Sequence, residues 1–136
     1  MRKTASDIID DIKSMLAESD MARSLNGGIY ASGERPANSH DEDIIVILTK
    51  GYLGDIDSGT ITLNIYVDQD PDCEMESDED SARAKEIERM AQEWVDSLDA
   101  STNYLFEQRT VIKTWPDRET HQRFVAVILD YRYYDK

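Results

Sequence analysis

Cysteine occurs once, as Cys73, so the chain can form no internal disulfide and offers no second thiol for a cysteine zinc site. A reducing, cytosolic setting is the expectation that follows. Long apolar runs are missing too. The longest, residues 124–129, is far short of the roughly 20 residues that span a bilayer. Asp10, Asp11 and Lys13 interrupt the early isoleucines, which predicts a soluble chain without a signal peptide. Positive charge is scarce. Fifteen Lys and Arg stand against 29 Asp and Glu, a net charge of −14. Nucleic-acid affinity rests on cations that neutralise phosphates, so sequence-specific DNA or RNA binding is not expected.

Catalytic apparatus is equally sparse. His40 and His121 are the only histidines, and neither has zinc or metalloprotease spacing. Ser39-His40-Asp41 contains the residue types of a hydrolase triad, but adjacent residues cannot generally aim at one another, so His40 reads as a loop histidine. Cys73 sits among carboxylates, which disfavour its thiolate. Gly27-Gly28 and Gly51-Tyr52-Leu53-Gly54 lack the Lys and Ser or Thr of a phosphate-cradling loop and read as turns. With no nucleophile, base and orienter in view, neither an enzyme nor a cofactor is expected.

What is present is periodicity. Ile8, Ile12, Met15 and Leu16 recur at helical spacing behind Ser6, a candidate N-cap, and this first helix should stop between residues 19 and 26. A short strand at Ile29-Tyr30-Ala31 precedes the run Ile44-Ile45-Val46-Ile47-Leu48, which reads as a strand covered on both faces near the sheet centre. Residues 60–68 alternate strictly, with Ile61, Leu63, Ile65 and Val67 on one face and Thr62, Asn64 and Tyr66 on the other. Ala84, Ile87, Met90, Ala91, Trp94, Val95 and Leu98 trace a second helix. Two strands at 104–115 and 123–133, joined by a turn at Pro116-Asp117-Arg118-Glu119, complete the pattern. The expectation is one α+β domain over residues 1–136, in the order α-β-β-β-α-β-β. Its sheet should be mainly antiparallel, with two helices packed on one face.

This order resembles the phage tail-terminator and tail-completion proteins of long-tailed bacterial viruses. Three elements carry the resemblance: the opening helix; the strand Thr60-Ile61-Thr62-Leu63-Asn64-Ile65-Tyr66-Val67 running through a polar bend into the helix 81–98; and the closing strand Phe124-Val125-Ala126-Val127-Ile128-Leu129-Asp130-Tyr131-Arg132-Tyr133. The resemblance covers most of the chain and implies a homo-hexameric ring at the head end of a tail tube. Its partners would be tail-tube and head-completion proteins, and its place the virion, after assembly in the bacterial cytoplasm. A head-tail joining protein fits the same pattern. The resemblance carries over no catalytic or ligand residue. In such a ring an acidic lumen would keep passing DNA from sticking, because carboxylates repel phosphates.

Aromatic and charged residues on the wet face and in the last strand, namely Tyr66, Tyr131, Arg132, Tyr133 and Tyr134, are the candidate interface residues. The acidic bend that follows Val67 sets off from the family. Counted as a calcium loop, it places Asp68, Asp70, Asp72, Glu74, Glu76 and Glu79 at positions one, three, five, seven, nine and twelve. Cys73 stands where the loop's turn needs glycine, and Pro71 restricts the backbone, so a solvated acidic segment is the favoured reading. The alternative to a ring subunit is a small acidic binding module, either one that takes calcium through residues 68–79 or a mimic of an anionic partner.

Overall fold

The structure, a computed structural model, describes residues 2–67, 80–98 and 103–134. The first helix, α1 (Ala5–Ala17), is capped two residues before the expected position. Thr4, not Ser6, is the N-cap: its Oγ1 accepts from the Asp7 N–H at 3.3 Å, while Asp7 Oδ2 accepts from the Thr4 N–H at 2.9 Å. This reciprocal pair satisfies two backbone donors that the first turn leaves over. The bond from the Thr4 backbone N–H, and after it the Thr4 hydroxyl, hold the Asp7 carboxyl below its ordinary value. Ile8, Ile12 and Leu16 form the buried stripe.

The segment expected only to end the helix contains a second one, α2 (Asp20–Ser24), capped by Ser19, whose Oγ accepts from the Ala22 N–H at 3.1 Å. Five residues are too few for a periodic signal to emerge. Strand β1 (Ile29–Ala31) then pairs in parallel with β2 (Ile44–Tyr52). A parallel pair needs a crossover of about a dozen residues, and here a loop rather than a helix supplies it.

Strand β2 turns back into β3 (Asp57–Tyr66), and β3 pairs on its other side with β6 (Gln122–Tyr133). The sheet order is β1-β2-β3-β6-β4, where β4 is Tyr104–Gln108, and β5 (Lys113–Asp117) also pairs with β6. The fold is α+β. The centre belongs to β3 and β6; β2 lies one strand from the edge, buried at Ile44, Ile45 and Val46 but exposed from Thr49 onward.

The single strand expected over 104–115 is two. β4 matches Gln108 to Leu129 and β5 matches Lys113 to Ala126, so Arg109, Thr110, Val111 and Ile112 stand opposite only Val127 and Ile128. The surplus forms a bulge, with Val111 exposed and Ile112 in the core, and breaks the edge. The β5–β6 turn falls at residues 118–121, where His121 takes a left-handed φ of 56°.

Helices cover one face only. Helix α3 (Asp80–Ser97) buries Ala84, Ile87, Ala91 and Trp94 and packs on β6, β5 and α2, while α1 packs on β1 and β2. The side chains beneath them are those paired across the strands on that face: Ile44, Val46, Ile61, Leu63, Ile65, Val125, Val127 and Leu129. Among the described residues no helix is long and apolar enough to cross a membrane.

Candidate assembly surface

Because side chains alternate along a strand, the residues that do not face the helices line a second face, which no helix covers among the described residues. Register places on it Ile45, Ile47, Asn64 and Thr62, followed across the sheet by Ala126 and Ile128. Most of these are partly exposed. Two ends of this face differ in character.

At one end lies the crossover loop between β1 and β2. Arg35 stacks on the Tyr66 ring at 3.7 Å, its Nε donates to Asp43 Oδ2 at 2.8 Å, and an η nitrogen donates to Gln122 Oε1 at 2.8 Å. Ser39 Oγ and the Gly28 N–H also donate to Asp43, at 2.6 and 2.8 Å. Gln122 Nε2 in turn donates to the carbonyls of His40 and Val67. Burial pushes the Asp43 carboxyl up, but the bonds from Ser39, Arg35 and Gly28 outweigh it and hold the group below its ordinary value. Beside it, Glu42 receives two bonds of 2.7 Å from Arg83 of α3, which raise the Arg83 pKa. Asp43 and Glu42 are buried because they lead straight into Ile44 with no turn between. A Cβ at Gly27 would collide with both of them, so only glycine lets the chain pass. Among the described residues, none of this loop's buried side-chain nitrogen and oxygen atoms lacks a partner, which is the signature of a fastened loop.

At the other end a groove runs across the face, lined by Lys50, Tyr52, Thr60, Leu105, Glu107 and Arg132. Thr60 Oγ1 donates to Asp130 at 2.9 Å, and Arg109 lies 3.9 Å from the same carboxylate. A bulge at Thr49 puts Lys50 level with Thr60, so Lys50 and Thr62's partner Thr49 both reach this side. The groove opens onto the β2–β3 turn, where Tyr52, Leu53 and Ile56 are 60, 69 and 43% exposed.

The expected interface residues are divided by this geometry. Arg132 is exposed on the open face. Tyr66 is half-buried, held between Arg35 and Phe124, and its hydroxyl donates to Asp117 at 3.2 Å; burial and then Asp117 push its pKa up. Tyr134 is half-buried, with its N–H donating to the Asn103 carbonyl. Tyr131 and Tyr133 are almost fully buried on the helix side, so little of either ring is offered to a neighbour, although Tyr131 borders the groove. Tyr131 lies over Gly59, where any Cβ would strike its ring, and Tyr133 packs 4.9 Å from Tyr104. They share strand parity with Val125 and Leu129, a signal that outweighed their aromatic character.

The acidic residues Asp68, Asp70, Asp72, Glu74, Glu76 and Glu79 lie outside the described residues. Among the described residues no three His, Cys, Asp or Glu side chains converge as a metal site would require. Sequence reading missed Arg35, Asp43 and Gln122, and also the exposed apolar tip. The adjacency of two acids to a buried apolar run was the available signal for the first group. No protein-family model matches the chain, and no curated protein matches it.

Proposed function

We propose that this chain is a structural phage or prophage assembly protein, one subunit of a ring that caps the tail tube and joins it to the head. The observation that carries the reading is the uncovered sheet face, partly exposed and ending in an apolar hairpin tip. Surfaces that combine aromatic, apolar and arginine side chains in this way are typical of protein contacts. The order of elements supports it independently, since it resembles that of tail-terminator proteins. The ring, hexameric by that resemblance, works by geometry: it ends the growth of the tube and presents a docking rim. The excess of carboxylates suits a conduit for DNA.

Solution mass by light scattering, over a range of protein and salt concentrations, tests the reading together with co-sedimentation on purified tail tubes. A closed oligomer or saturable tube binding is expected. A chain that is monomeric throughout and ignores tail tubes removes the proposal.

A further inference from the structure

The surface through which two copies meet can be narrowed by excluding the others. Strand addition is barred at both sheet edges. β1 has three residues, too few for a stable added strand, and the opposite edge is interrupted by the 109–112 bulge and by Pro116, which has no N–H to offer. The helical layer is unfavourable for a different reason. Its three helices hold nine acidic and five basic residues, so two such layers repel. The six strands, by contrast, hold four cations and four anions within a chain of net charge −14. The sheet is therefore where like chains can approach at least electrostatic cost.

Within it, the groove end is the part with unused capacity. Lys50, Glu107 and Arg132 are exposed and make no ion pair or side-chain hydrogen bond among the described residues. They offer both signs of charge around an apolar strip that includes Leu105. The hairpin tip carries the apolar complement, Leu53 and Ile56, with Asp55 between them. The tip's carboxylate matches the cations Lys50, Arg109 and Arg132, which outnumber the groove's carboxylates Glu107 and Asp130, and its apolar side chains match Leu105 and Phe106 between them.

We propose that the ring contact is head to tail: the β2–β3 tip of one copy seats in the open-face groove of the next copy, Leu53 against Leu105 and Asp55 toward Lys50 and Arg132. This rests on the ring-subunit reading and specifies its joint. Tip and groove adjoin at Tyr52, so each copy carries both halves; a tip seated in the next copy's groove while its own groove takes a third copy's tip is a heterologous contact, and heterologous contacts that close make rings.

Two variants test it. Leu53→Asp kills the tip and leaves the groove; Leu105→Asp kills the groove and leaves the tip. Both side chains are exposed, so each variant should fold, which circular dichroism and melting temperature verify against wild type. Each alone should lose association by about tenfold or more. Mixed together, they retain one good tip and one good groove between them, and should form a 1:1 dimer that grows no further. Oligomers that persist in both variants overturn the joint while leaving the ring reading intact. Association lost singly but not recovered as a dimer on mixing overturns the head-to-tail geometry. Tube binding lost in both variants, from a wild type that never self-associates, means that the occupant is a tail protein and overturns the second copy. A wild type that neither associates nor binds tubes overturns joint and ring together.

Discussion

At the scale of single residues, Asp43 is the most consequential side chain outside the apolar core. Its carboxylate collects bonds from Ser39, Arg35 and Gly28 while being almost fully buried. Replacing it by alanine strands the Arg35 guanidinium and should cost about 3–5 kcal/mol of stability, measurable by urea unfolding. The pH dependence follows from the lowered pKa. A carboxyl whose folded value lies below its ordinary 3.8 contributes stability that is complete above that value and is lost as pH falls through the folded one. Wild type should therefore weaken below pH 3.8, and Asp43→Asn should flatten that part of the profile. Only the adjacency of two acids to the apolar run 44–48 hinted at this in advance, and the partners were not legible. Gln122 reaches Arg35 from 87 positions away, and no local pattern reports a bond of that range.

Elements were more legible than their partners. Strand β3 announced itself by strict alternation, and α3 by an apolar stripe that the structure buries at Ala84, Ile87, Ala91 and Trp94. Trp94→Ala should cost about 3–5 kcal/mol, read as a drop in the urea midpoint at unchanged slope. The break between β4 and β5 escaped notice because residues 109–112 contain neither glycine nor proline; only the register against β6 reveals it. The same register alters what a truncation would do. Removing everything after Asp130 takes Tyr131 and Tyr133 out of the core and uncovers Tyr104, which meets both rings. The expected result is loss of cooperative melting, not a folded chain that has merely lost an interface.

For the whole molecule the governing quantity is the net charge of −14. Exposed charges act over a Debye length of about 10 Å at 0.1 M salt, so raising salt should strengthen self-association by screening repulsion between copies. Sedimentation at several ionic strengths checks the sign: assembly held mainly by exposed ion pairs would instead weaken. Calcium offers a second comparison. Millimolar calcium should shift the melting temperature no more than sodium at equal ionic strength. A saturable response abolished by Glu79→Ala would favour the binding-module alternative.

The position of β6 also bears on synthesis. It is the last strand in sequence, yet it lies between β3 and the β4–β5 edge and provides the floor on which α3 packs. A nascent chain translated only as far as the 118–121 turn can pair β2 with β3, but its helix α3 lacks the strand it packs on most and one whole side of β3 is bare. The groove is missing as well, since Asp130 and Arg132 have not emerged from the ribosome. Incomplete chains thus lack the groove proposed for assembly, and the unpaired edge of β3 is the surface through which stalled ones would aggregate.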